Sequence, residues 1–155
     1  MAASVNLDPH AFCAAVLDVP FVDVLRTMEN PDLPLTTAEY TEWGNPEEPE
    51  AHRRIKGYSP LNNLVPAPWP AVYLQGSWHD SRVPYWEPAK LYARLIELDS
   101  ARGPVMLRTD MSAGHGGASG RFHAWRDVAR QDAFILWALG LSQAVPTSGT
   151  PPQDI

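Results

Sequence analysis

The chain predicts an α/β fold built on a parallel sheet, and three observations carry that prediction. Ala71-Val-Tyr-Leu-Gln75 is a short apolar run after Pro70, closed by Gly76, the pattern of a strand buried on both faces. Two further runs, Cys13 to Val19 and Val105 to Arg108, have the same character. Helical patterns follow the second and third runs, at Pro88 to Leu98 and Arg121 to Leu139, giving the strand–helix alternation of βαβ units and parallel pairing.

Composition bounds the rest. The 155 residues are one domain's worth of chain, and a hydrophobic fraction of 45% is that of a globular protein with a sizeable core. The net charge is −6 and no block of Lys or Arg stands out, so neither nucleic acid nor an anionic membrane is expected as a partner. Cys13 is the single cysteine, which rules out an internal disulfide and a thiolate zinc cluster. Its place in the apolar run Phe12 to Leu17 predicts a small buried core residue. No apolar segment approaches the length of a membrane helix and no basic-then-apolar leader opens the chain, so a reducing, cytoplasmic compartment is expected. Sixteen prolines and six tryptophans predict many fixed turns around an aromatic-rich surface.

Taken in order, Met1 to Phe12 holds no strand and reads as the end of a helix running into a turn at Pro9. Cys13 to Val19 is a strand ended by Pro20, and Phe21 to Met28 has Val22, Leu25 and Met28 at the spacing of a short helix. Asn30 to Pro70 is long and irregular, with helical pieces at Thr37 to Trp43 and Pro49 to Ile55. Thr37 is followed three residues on by Tyr40, so the first piece lacks a capping box. An irregular stretch of this length reads as a functional loop or a cover over a site. After the strand at Ala71 comes a dense polar loop, Trp78 to Arg82, and then the Pro88 helix with Leu91, Ala93, Leu95 and Ile96 at helical spacing. Val105 to Arg108 leads into the loop Thr109 to Gly120, which carries four glycines and His115. The Arg121 helix places Phe122, Trp125, Val128, Phe134, Ile135 and Ala138 near i, i+3, i+4 spacing, with Gly140 as its C-terminal cap. Residues 1–140 thus form the folded part, and the Pro/Ser/Thr-rich residues 141–155 are expected to be disordered. No internal repeat is present. Three strands make a thin sheet, and the N-terminal one is expected to be central with neighbours outside this chain, as in a piece of a larger domain.

Open α/β sheets place chemistry in the loops at the carboxyl ends of their strands. Asp80 follows one strand and His115 follows the next, the order and loop context of the acid and base of an α/β-hydrolase triad. There the carboxylate fixes the imidazole tautomer and the imidazole takes the nucleophile's proton. The plainer alternatives are that Asp80 caps a turn, Arg82 lies in solvent and His115 is an exposed loop histidine. A working pair requires Asp80 and His115 to stand about 3 Å apart, and a separation beyond about 8 Å would defeat the assignment. The nucleophile is missing: no G-x-S-x-G occurs, Ser77, Ser81, Ser112 and Ser119 lie beside or between the pair, and Ser4 lacks flanking glycines. A metal hydrolase built on His79, Asp80, His115 and His123 matches no usual ligand spacing, so neither metal nor other cofactor is expected.

Several stretches carry a family resemblance: Val19-Pro-Phe-Val-Asp-Val24, Leu33-Pro-Leu-Thr-Thr37, Glu42-Trp-Gly-Asn-Pro46, Tyr58-Ser-Pro60, Gly114-His115 and, most specific, His79-Asp-Ser-Arg-Val-Pro-Tyr-Trp-Glu-Pro-Ala-Lys90. From Asn6 to Leu139 the chain resembles the C-terminal part of the catalytic α/β-hydrolase domain of the prolyl oligopeptidase family, nearest its oligopeptidase B branch. The resemblance implies a serine peptidase acting on short peptides, with Asp80 as triad acid, His115 as base and Arg82 binding a substrate main-chain carbonyl. It also implies that the elbow half, G-G-S-x-G-G, and the N-terminal propeller of such enzymes are absent from this chain, which alone is then expected to be inactive. Oligopeptidase B selects Arg and Lys with two glutamates of a G-E-x-E-E-W-G motif; here Ala38-Glu-Tyr-Thr-Glu-Trp-Gly44 keeps Glu39 and has Thr41 at the second position, with Glu42 expected to be structural. One carboxylate instead of two is expected to weaken hold on a basic group by up to a few kcal/mol when desolvated. The alternative function is a non-catalytic remnant that binds another chain, for instance through an exposed sheet edge.

Overall fold

The computed structural model describes residues 1–117 and 120–141; the expected disorder of the C-terminal stretch falls on residues outside that set beyond Leu141. The strands are β1 (Ala14–Asp18), β2 (Ala71–Ser77) and β3 (Val105–Asp110), all parallel, in the order β1-β2-β3. The register pairs Ala14 with Ala71 and Val72 with Val105. The helices are α1 (Ala2–Leu7), α2 (Val24–Met28), α3 (Tyr40–Trp43), α4 (Pro49–Tyr58), α5 (Trp86–Leu98) and α6 (Arg121–Ala138), with 3-10 turns at Pro9–Ala11, Thr37–Glu39 and Leu61–Asn63. No helix among the described residues is long and apolar enough to cross a membrane.

Every residue of β2 is buried, because β2 has a strand on each side and a helix layer on each face. Its side chains alternate as a strand requires. Val72 and Leu74 join Leu17, Leu91, Leu95 and Trp69 on the α5 side, while Ala71 and Tyr73 meet Phe134 of α6 on the other. A second cluster, Val24, Leu25, Met28 and Ile55, holds α2 against α4.

Among the three described strands β2 lies in the middle, with β1 and β3 beside it. Two expectations are corrected. Cys13 is exposed: β1 begins one residue after it, so the sulfur falls outside the pleat alternation that buries Ala15 and Leu17. Gly76 does not close β2 but lies within it, since a Cβ there would come within 2.9 Å of Pro88 Cγ on α5. The helix ends follow local chemistry. Pro88 falls in the first turn of α5, where a missing N–H costs nothing, and α6 passes through Leu139 into Gly140 at φ +69.

The apolar residues of α6 do not share one face. Phe134 packs on the sheet, whereas Phe122 and Trp125 are 66% and 57% exposed and Val128, Leu136 and Trp137 are open as well. Within α5 the reverse occurs, for a charged residue is fully buried. Glu87 accepts hydrogen bonds from the Val22 N–H at 2.8 Å, the Asp23 N–H at 2.6 Å and the Thr27 hydroxyl, tying α5 to the turn between β1 and α2. Burial pushes its carboxyl up from the ordinary value, while the Thr27, Asp23 and Val22 donors oppose that shift. Lys90, one turn further along α5, donates to Asp23 Oδ2 at 2.7 Å and completes the clasp.

Candidate active site

The loop after β2 is shaped by Asp80. Its Oδ1 accepts from the Arg82 N–H at 2.8 Å and the Val83 N–H at 2.9 Å, an Asx-type turn that sets the direction of the chain toward α5. The turn leaves Oδ2 and the other side of Oδ1 facing the loop after β3. His115 Nδ1 stands 2.9 Å from Oδ2 and 3.1 Å from Oδ1. Asp80 therefore caps a turn and meets the histidine as well, with its carboxylate wholly buried and the His115 ring 39% exposed. Arg82 is exposed, as the plainer reading had it, and its side chain borders the cavity described below.

The His115 loop is fixed from below by Asp110, the last residue of β3, which sequence inspection overlooked. Its Oδ1 accepts from the Ser112 N–H and hydroxyl, both at 2.9 Å, and Oδ2 from Arg108 Nη2 at 3.1 Å. The Ser112 backbone and hydroxyl, followed by the Arg108 guanidinium, hold its carboxyl below the ordinary value. Arg108 also reaches Asp127 of α6 at 3.2 Å. The Trp78 N–H donates to the Asp110 carbonyl and the His79 N–H to the Ala113 carbonyl, so the two loops travel together. Gly117 closes the turn beyond His115 with its N–H on the Gly114 carbonyl and φ of +76, a conformation that favours glycine. The signal for Asp110 was present as an Asp-x-Ser spacing at a strand end, the signature of an Asx turn. Nothing in the sequence distinguishes Glu87 from a solvated helix residue.

His115 borders two cavities. One, of about 250 Å³, runs past Asp18, Val19 and Gly76 toward the edge strand β1. The other, of about 320 Å³, is lined by Arg82, Glu39 and Glu42 together with Phe21, Met28 and Trp43. Glu39 thus shares a cavity with His115 and Arg82, while Thr41 does not line it. Among the described residues no three His, Cys, Asp or Glu side chains form a group able to hold a metal ion.

A carboxylate can only accept, so the Nδ1 of neutral His115 carries the hydrogen and Nε2 presents its lone pair. Such a pair can take a proton at Nε2 and stabilise the imidazolium that results. Ser112, the nearest serine in sequence, has its hydroxyl donated to Asp110.

The sequence model of the prolyl oligopeptidase family matches residues 1–142. Dipeptidyl aminopeptidase BI of Pseudoxanthomonas mexicana is 49% identical over 142 residues, 92% of this chain and 20% of that protein. Protease 2 of Moraxella lacunata is 41% identical over 139 residues, 90% of this chain and again 20% of the relative. Oligopeptidase B from Leishmania major superposes with a TM-score of 0.86 at 40% identity, over 91% of this chain and 20% of its own. The chain spans about a fifth of the length of the curated relatives it matches.

Proposed function

Since the chain belongs to the prolyl oligopeptidase family, a family of serine peptidases, we propose that it supplies the acid and base of a serine-type oligopeptidase that hydrolyses short peptides after Arg or Lys. On this reading residues 1–140 are the C-terminal portion of the α/β-hydrolase peptidase domain. His115 Nε2 takes the serine proton, Asp80 holds the Nδ1–H tautomer, Arg82 binds a substrate main-chain carbonyl and Glu39 faces the basic side chain. The serine comes from a G-G-S-x-G-G elbow that the 155 residues do not contain, so this polypeptide alone does not turn over. The observation that supports the reading most is the 2.9 Å approach of His115 Nδ1 to a wholly buried Asp80 carboxylate.

The test is labelling with a fluorophosphonate probe, on this chain and on a form extended upstream through the elbow. Labelling of the extended form alone, abolished by His115→Ala, is the expected result; labelling of the short chain would defeat the account of the nucleophile. A second reading, a non-catalytic module that binds another chain, is favoured by the exposed Phe122 and Trp125 on α6. Absence of labelling in both forms would support it.

A further inference from the structure

Resting on that reading of the cavity, we infer that Glu42 supplies a second carboxylate for the basic side chain of the substrate, making good the threonine at position 41. The 3-10 turn Thr37–Glu39 runs directly into α3, so Glu39 and Glu42 are three apart on one helical segment and share a face, while Thr41 falls on another. That shared face is the one turned to the cavity: both glutamates line it and Thr41 does not. Substitution at position 41 therefore does not empty the cavity of its second negative charge.

The segment is anchored rather than loose. The Tyr40 hydroxyl donates to the Met28 carbonyl at 3.3 Å, and the Trp43 ring packs edge-on against Phe21 at 5.6 Å. Arg54 donates to the Trp43 carbonyl at 3.2 Å, and Gly44 turns the chain away at φ +98. Among the described residues neither Glu39 nor Glu42 has an ion-pair partner within 4.0 Å, and Arg82 is the one guanidinium on the cavity wall. Two like charges facing one space repel each other, and a cation entering between them relieves that repulsion. The remaining wall, from Phe21, Met28, Leu35 and Trp43, suits the methylene stem of an arginine or lysine.

The test titrates N-acetyl-arginine amide and its neutral isostere N-acetyl-citrulline amide into the whole chain, following backbone amide shifts of residues 36–44 by NMR. The arginine ligand is expected to bind more tightly than the citrulline one. Glu42→Gln and Glu39→Gln are each expected to weaken the arginine ligand about three- to tenfold, and the double variant to erase the preference, the range expected of half-exposed charge pairs. Glu42→Asp is expected to restore part of it. Unchanged binding in Glu42→Gln with a loss in Glu39→Gln would overturn the inference and leave the peptidase reading standing. No preference for arginine in the wild-type chain would also overturn it. The ¹⁵N signature of the His115 Nδ1–H tautomer, which does not depend on the ligand, decides separately whether the acid–base pair survives.

Discussion

Glu87 offers a direct test of how a buried charge is tolerated here. Glu87→Ala removes the acceptor of two backbone N–H groups and of the Thr27 hydroxyl, all buried. Leaving a buried donor unpaired costs about 1–3 kcal/mol, so with partial relaxation the loss is about 4 kcal/mol, a large share of a domain's stability. Glu87→Gln differs. Its amide oxygen can stand where Oε2 accepts from Val22 and Asp23, and the Thr27 hydroxyl can rotate to accept from the amide N–H. At pH 7 its stability is expected within about 1 kcal/mol of wild type, because a lost charge-assisted bond is offset by relief of a buried ion. The pH dependence separates the two terms. The folded-state carboxyl of Glu87 is raised by burial, so its contribution is fully present below the unfolded value of 4.5 and is lost as pH rises through the folded value. Urea denaturation of wild type and Glu87→Gln between pH 4.5 and 8 should show the wild type losing ground to the variant with rising pH. A difference that stays flat across that range would refute the assignment of burial as the dominant effect.

Three other outcomes are expected. Asp80→Asn is expected to abolish the His115 Nδ1–H tautomer signature in ¹⁵N spectra, since an amide can offer that nitrogen a donor instead of an acceptor; persistence of the signature would detach Asp80 from the histidine. Asp110 has a depressed carboxyl, so its contribution is present above the unfolded value of 3.8 and lost as pH falls through the folded one; Asp110→Asn should therefore flatten the acid limb of stability, read from urea midpoints between pH 7 and 3. Gly76→Ala places a Cβ 2.9 Å from Pro88 Cγ and should lower stability by about 1–3 kcal/mol through overpacking, with an unchanged urea midpoint as the contrary result.

The parts of this molecule that declare themselves in sequence are those set by short-range pattern. The Ala71 run, bounded by proline, could be assigned to a buried strand because a strand covered on both faces needs no polar alternation. Asp80 and His115 were legible because strand-end loops are where polar residues gather without a packing role. What escaped depends on distant partners. Nothing near Gly76 announces Pro88, and nothing near Glu87 announces the Val22 and Asp23 amides 65 and 64 positions away. In α6 the apolar residues occur at helical spacing, yet Phe134 and Ala138 pack at the sheet while Phe122, Trp125 and Val128 stay open, because a periodicity of side chains does not say which stripe faces inward. The place of Glu42 is hidden for a related reason: which face of a short helix borders a cavity depends on packing that residue spacing alone does not give.

The clasp between α5 and the turn after β1 also bears on how fast the chain folds. Bringing Glu87 to Val22 closes a loop of 65 positions, which costs about 4 kcal/mol of chain entropy beyond the constant for closure. The hydrogen bonds within helices α4 and α5 are local and do not require that closure, whereas the β1–β2 pairing and the Glu87 bonds do. Those bonds are therefore late arrivals. Their weakening is expected to speed unfolding and to leave refolding almost untouched, so that Glu87 governs the lifetime of the native sheet rather than the rate at which it assembles.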